Sequence, residues 1–222
     1  MTARLDISLL VRFFRDESGA AMVEFAMVCG IFFLAMFQLL DFGIFASTNV
    51  TAEKAAQVAT RVAVVRPAAC AGVPDRIGVG TASPEPRAGT SCRAVANACE
   101  TIAAVSCSGD ADNATANEIW TRIAPSLPNA TQISNLTFIY SQNLSFVGGA
   151  QTQDLSYVGG PYVPYVTVEL TLPEFNFAAP IGALAALVSG GNTEFSGTPE
   201  YRTISISLPG EDLALGTDDW SQ

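Results

Sequence analysis

The sequence predicts an α+β protein: a long amino-terminal transmembrane helix continues into an extracytoplasmic domain with an antiparallel β-sheet, and a Cys-rich loop lies between them. Three observations predict this. Ala20 to Leu40 is an almost unbroken apolar run. Ala52, Ala55, Ala56, Ala59, Val62 and Ala63 then recur at helical spacing, and no proline interrupts Ala20 to Arg66. Beyond residue 130, short segments alternate apolar and polar residues at the two-residue period of strands.

The apolar run comes first. At about 1.5 Å per residue, Ala20 to Leu40 spans roughly 31 Å, the thickness of a hydrocarbon core. Within it Glu24 is the charged residue and Gln38 a polar one. Arg4, Arg12 and Arg15 precede the run, and no Lys or Arg follows until Lys54. That asymmetry keeps residues 1–19 in the cytoplasm and sends the rest of the chain across. The run is too long for the apolar core of an ordinary signal peptide. Val28 before Cys29 does not fit a lipoprotein signal. A plain signal anchor explains orientation and hydrophobicity but leaves Glu24 unexplained. A carboxylate is expensive within a membrane, though one near the interface can reach the headgroups.

The helical pattern continues past the exit, Asp41-Phe42-Gly43, and Pro67 is its first obligatory stop. Glu53, Lys54, Gln57, Thr60 and Arg61 fall largely off the Ala stripe. The stripe is expected to pack on the chain's own domain. The expected organisation is a leader at 1–19, a transmembrane helix at 20–45, its extension at 46–66, a Cys-rich loop region at 67–112, a β-rich domain at 113–209 and an acidic tail at 210–222.

Residues 67–112 are rich in Gly, Pro, Ser and Cys, with little periodicity. Cys70, Cys92, Cys99 and Cys107 fall here, while Cys29 lies in the span. Four clustered Cys outside the cytoplasm read as two disulfides, with three pairings open. Zinc is the rival, but Cys-x21-Cys-x6-Cys-x7-Cys has no Cys-x2-Cys pair. Ala114–Ala124 reads as a short helix ended by Pro125 and Pro128. Ile133–Tyr140, Leu144–Val147, Val163–Leu172 and Thr203–Leu208 read as strands, and Pro180–Ser189 as a short helix or loop. The tail carries Glu211, Asp212, Asp218 and Asp219 and is expected to be poorly ordered.

Composition excludes several functions. Net charge is −10 and pI about 4.3, so no nucleic-acid partner is expected. The sequence has no histidine, which excludes Ser-His-Asp and Cys-His catalysis. No catalytic residue, cofactor or metal site is expected. Asp110-Ala111-Asp112-Asn113 lacks the Gly and terminal Glu of a calcium loop. The Asn-x-Ser/Thr triplets at Asn49, Asn113, Asn129, Asn135 and Asn143 read as incidental. Tyr157, Tyr162 and Tyr165 form an aromatic group near Gly159-Gly160 that suits strand packing.

The stretch around Glu24 resembles the leader of type IV pilins and pseudopilins, in which a charged leader ends in Gly and Glu is the fifth residue of the cut chain. The resemblance implies cleavage between Gly19 and Ala20 by a prepilin peptidase. It gives Glu24, with Phe25 beside it, a role in processing and assembly. Ala20 and Glu24 lie one turn apart on one helix face. The amine created at Ala20 can therefore meet Glu24 of its own chain or of a neighbour.

Residues 19–26 (Gly-Ala-Ala-Met-Val-Glu-Phe-Ala), the exit Asp41-Phe42-Gly43 and residues 55–61 (Ala-Ala-Gln-Val-Ala-Thr-Arg) together resemble the TadE/TadG-like family, minor pseudopilins of the tight-adherence (Flp) pilus system. That resemblance implies a single-pass protein of the bacterial inner membrane with a periplasmic, pilin-like domain that is able to enter a pilus. Its partners would be the prepilin peptidase, other pseudopilins and pilus assembly components. Many members carry a Pro about ten residues into the span; here Cys29-Gly30 occupies that neighbourhood, which leaves no Pro to kink the helix. Asp154-Leu155-Ser156-Tyr157-Val158 lacks the second Ser of the metal motif found in longer relatives. The rival expectation is an unprocessed, membrane-anchored adhesion or binding domain.

Overall fold

The computed structural model describes residues 19–143, 154–175, 201–211 and 213. The expected strand at 144–147 and the expected helix or loop at 180–189 lie outside these residues. The described elements are helix α1 (Ala20–Ala63), strand β1 (Val105–Ser108), helix α2 (Ala114–Ile123), strand β2 (Leu136–Ser141), strand β3 (Tyr165–Leu170) and strand β4 (Ile204–Pro209). The chain divides into two compact units. One holds α1 up to Phe45. The other holds the rest of α1 and the whole sheet.

The sheet has the order β1-β2-β3-β4, antiparallel throughout. Its register follows directly from alternation. Leu136, Phe138 and Tyr140 on β2 lie opposite Leu170, Val168 and Val166 on β3, and all six are buried. One face of the sheet is thus continuously apolar, as a half-buried antiparallel sheet requires. β4 adds Ile204, Ile206 and Leu208 in register with Leu170, Val168 and Val166.

The Ala stripe of α1 is buried as expected, with Ala52, Ala56, Ala59 and Ala63 fully enclosed. One residue departs from expectation. Thr60 is fully buried, although its polarity assigns it off the stripe. Its hydroxyl donates to the Ala56 carbonyl at 2.8 Å and lies 3.5 Å from the Ile206 carbonyl on β4. A helical Thr satisfies its only donor on its own preceding turn, so burial costs it little and its small volume suits close approach to β4. α1 ends at Ala63, three residues short of Arg66. Pro67 disfavours helical geometry at Arg66, and the Val65 amide turns to the Val62 carbonyl in a tighter bond.

α2 forms where expected. The Asn113 side chain accepts from the Ala116 amide at 2.9 Å and caps the helix. Asp110 accepts from the Asp112 amide, so this polar stretch has a local task in shaping the turn before α2. Ala116, Ile119 and Ile123 face inward, and the chain turns into a short 3₁₀ segment carrying Pro125. α2 is tied to the end of α1 twice. Thr115 donates to the Pro67 carbonyl at 2.8 Å, and Arg66 makes a forked pair with Glu118 at 2.9 and 3.1 Å. Arg122 joins Glu118 from the next turn at 2.6 Å.

Two expectations about irregular segments need correction. Residues 67–112, expected as loop throughout, contain β1. Only four residues long, β1 follows Ala-rich sequence that hides its period, and it forms because β2 offers it a partner edge. The tail, expected to be poorly ordered from Gly210 on, begins pinned. The Gly210 amide donates to the Pro164 carbonyl at 2.7 Å and the Glu211 amide to the Val64 carbonyl at 2.9 Å. Backbone donors left at a strand end find backbone acceptors nearby.

The Cys-rich segment contains two disulfides, Cys70–Cys107 and Cys92–Cys99. Cys107 stands on β1 opposite Phe138, so the first bond fastens the chain after α1 to the buried face of the sheet. It closes a loop with a sequence separation of 37. By loop entropy alone such a bond contributes about 4 kcal/mol, against about 2.5 kcal/mol for the short loop of Cys92–Cys99. Around the second bond, Ile77, Ala98, Cys99, Val158 and Tyr162 make a small core of their own. Backbone bridges Arg76–Pro161, Val79–Cys99 and Ser91–Tyr157 hold it together. Gly80 is required there, because an added Cβ would collide with the Asn97 and Cys99 carbonyls.

The hydrogen bond from Arg66, opposed by partial desolvation and aided by the nearby arginine charges, holds the Glu118 carboxyl below the usual range. A carboxyl depressed on folding stabilises the fold above its unfolded pKa, and that contribution is lost as pH falls through the folded value. The pair is exposed, so the effect is small. Glu118→Gln should therefore lower the urea midpoint slightly at neutral pH, and its difference from wild type should shrink as pH falls below the usual Glu value of about 4.3. A difference that persists undiminished in acid would show that the ion pair is not its source.

Candidate functional site

The candidate site is the amino-terminal part of α1, where sequence reasoning placed Gly19, Ala20, Glu24 and Phe25. Helix begins at Ala20, and Gly19 stands just before it. No acidic residue occupies the first turn. Glu24 therefore sits one turn in, past the amides left without carbonyl partners at any helix start. Side chains on a helix lean toward its amino terminus, which directs the Glu24 carboxylate back toward Ala20. Both residues are exposed, and Phe25 is 67% exposed.

Gly19 has open surroundings. A Cβ placed there meets no atom within 4 Å among the described residues, and its backbone is outside the left-handed region. Neither packing nor backbone conformation within the described chain demands glycine. Gly30 and Gly43 likewise meet nothing, although glycine inside a helix costs about 1 kcal/mol relative to Ala.

The span itself is apolar on all sides. Its most apolar window has no buried residue, with Ile31 73% and Leu39 75% exposed. Met22, Val23, Met27, Phe32 and Phe37 are also largely exposed. Scattered exposed apolar residues are normal on a protein in water; a continuous sleeve of them is not. The helix is long and apolar enough to be a single-pass membrane anchor. At the exit, Asp41 is buried, whereas Phe42 and Gly43 are exposed. The helix runs unbroken through Cys29-Gly30, as the missing Pro implies.

The character of α1 changes near residue 50. Before it, most residues are exposed and Asp41 is the buried exception; after it, one face is enclosed and Glu53, Lys54, Gln57 and Arg61 stay in solvent. A single helix is thus an apolar sleeve first and packs on its own sheet afterwards.

The other sites singled out in the sequence are accounted for locally. Cys70, Cys92, Cys99 and Cys107 are all in disulfides, and Cys29 is free and half-buried. The three tyrosines occupy different environments. Tyr162 is buried in the small core, Tyr157 is 51% exposed and Tyr165 opens β3. Burial, aided by the Asp154 charge, pushes the Tyr162 phenol up to about 12. The Tyr140 phenol is also raised, by burial against the opposing bond from the Ala69 amide. Sequence reasoning missed Gln142 and weighed Asp154 only as part of an incomplete metal motif; the two are buried and bonded to each other at 2.6 Å. No periodicity marks them; only the fold brings the two side chains together.

Cys29 provides a check on the anchor. In intact membranes a charged, impermeant maleimide should leave Cys29 unlabelled, and the same reagent should label it after detergent solubilisation. Labelling in sealed membranes at the detergent rate would place residue 29 in water and rule out the anchor.

Comparison with known proteins bears on this segment alone. No curated protein and no solved structure matches the chain. A family model described as TadE-like protein matches residues 19–61. The match opens on Gly19, runs through the apolar sleeve and stops within the Ala stripe, before the first strand of the sheet. Over residues 19–61, from Gly19 into the Ala stripe, the chain is similar to TadE-like proteins.

Proposed function

We propose that the chain is a membrane-anchored minor pseudopilin that takes part in assembling a tight-adherence pilus. The observation that carries this reading is the TadE-like match over 19–61, which opens on a glycine that the described chain itself does not need. A prepilin peptidase cuts after Gly19 on the cytoplasmic face. Glycine there answers the demand of a cleft that must bring the peptide backbone close to catalytic groups. The chain is a substrate of that peptidase and has no catalytic role of its own. Its other partners are pseudopilins and pilus assembly components, and its sheet domain lies in the periplasm.

Cleavage changes the electrostatics at Ala20. The new amine joins the positive end of the helix dipole and the unpaired amides of the first turn. A carboxylate in the same layer of the membrane is attracted to that charge and otherwise stays costly to keep there. Glu24 is that carboxylate. Pairing with the Ala20 amine of a neighbour aligns two helices in register to within one turn. The all-round apolar sleeve lets the helices stay in lipid until they pack, and Gly30 permits close approach at one point.

Two substitutions separate the steps. Gly19→Leu should abolish processing and leave a precursor heavier by the leader. Glu24→Gln should leave cleavage within a few-fold of wild type but reduce incorporation into assembled pili at least tenfold. Both are read from immunoblots of cell and sheared-pilus fractions. Equal loss of cleavage and incorporation in Glu24→Gln would remove the pairing role.

A further inference from the structure

Beyond assembly, the small core around Cys92–Cys99 has features that structural stapling does not require. We propose that Cys92–Cys99 is a thiol-exchange site, served by the Asp154 carboxylate and open to a dithiol protein. It goes beyond the pilus reading and does not rest on it.

Three observations carry the proposal. The first is access. Both cysteines line an open cavity of about 410 Å³, with Arg93 and Asp154 in its wall. Cys92 is the more exposed of the pair and Cys99 is buried. The second is the carboxylate. An Asp154 oxygen and the two sulfurs lie within 4.8 Å of one another. With the sulfurs bonded together, neither is a thiolate able to hold a metal. Among the described residues, Cys70 and Cys107 have no comparable carboxylate grouping.

The third is the way Asp154 is held. It is buried, without a salt bridge among the described residues. One oxygen accepts from the Ser156 amide at 2.9 Å and the other from the Gln142 side chain at 2.6 Å. Gln142 itself accepts from the Ile102 amide and donates to the Glu100 carbonyl. A buried carboxylate is expensive unless it is fully hydrogen-bonded. Here one is kept beside a disulfide, at the wall of an open cavity. It places a proton acceptor where a thiol would enter.

The exchange balances as follows. An incoming thiol gives its proton to the Asp154 carboxylate and becomes a thiolate. The thiolate attacks the exposed Cys92 sulfur in line with the S–S bond. A new disulfide forms to Cys92, the Cys92–Cys99 bond breaks, and its electron pair leaves with the Cys99 sulfur. The proton on Asp154 passes to that sulfur. The second thiol of the partner then attacks the mixed disulfide and releases Cys92 as a thiol. The partner is oxidised by two electrons and the pair is reduced by two. Arg93, beside Cys92 at the cavity wall, favours an approaching thiolate. The short loop also restrains the reduced chain less than the long one does. Cys70–Cys107, which fastens the end of α1 to β1, keeps the sheet domain intact throughout.

The test uses the full chain in detergent, treated with limiting dithiothreitol, quenched with iodoacetamide over time and mapped by mass spectrometry. Cys92 and Cys99 should be alkylated at least tenfold faster than Cys70 and Cys107. A thioredoxin-type protein whose resolving Cys is replaced by Ser should be trapped on Cys92. Asp154→Asn should slow the Cys92–Cys99 step at least fivefold and leave the Cys70–Cys107 rate unchanged. Asp154→Glu, which keeps a carboxylate, should recover most of the rate. Equal or reversed reduction of the two pairs in the wild type, trapping on Cys70 or Cys107, or a wild-type rate in Asp154→Asn would each overturn the proposal.

Discussion

A helix that is apolar on every side has no stable place in water, and the rest of this molecule follows from that constraint. About 25 cal/mol for each Å² of apolar surface favours taking the first part of α1 out of water. No residue of its most apolar window is buried within the protein. Once the span is in the membrane, the chain beyond it is committed to one side, and the fold has to begin from a helix already fixed at one end. The Ala stripe meets that condition. Small residues at 52, 55, 56, 59 and 63 let the same helix lie close against its sheet, so membrane anchor and domain share one continuous element.

That continuity explains where the chain invests its strongest ties. They gather where α1 stops and the sheet domain begins. The forked Arg66–Glu118 pair, the Thr115–Pro67 bond, the Ala69–Tyr140 bond and Cys70–Cys107 all lie within a few residues of the helix end. Each alone is modest, and the ion pair is exposed. Together they fasten both α2 and the sheet to the same short stretch of chain. A domain carried at the end of one long helix needs this junction to hold, and the covalent bond there spans the longer of the two loops.

Much of this was legible in the residues and some was not, for physical reasons. The α1 stripe, the start of α2 and strands β2, β3 and β4 carry regular periods, because each lays one face on a core. Strand β2 begins three residues later than alternation suggests, since Ile133–Asn135 forms a 3₁₀ turn closed by Gln132 and Asn135. Strand β1 was hidden, because pairing with β2 and not its own sequence makes it a strand. Thr60 was misassigned because its polarity conceals that its hydroxyl is satisfied on its own helix. The disulfide partners were open until the fold brought Cys107 onto the sheet beside Cys70. At the amino terminus the reverse holds. Gly19 and Glu24 stand out in the sequence, yet nothing in their packing among the described residues marks them out.

The central claim is that the positive charge Glu24 answers arises by cutting the chain after Gly19. Intact-mass measurement of the protein, purified from the membranes of wild-type cells and of cells lacking prepilin peptidase, tests it most directly. The account predicts a chain beginning at Ala20 in the first and one retaining Gly19 and the residues before it in the second. The same uncut mass from both would contradict it.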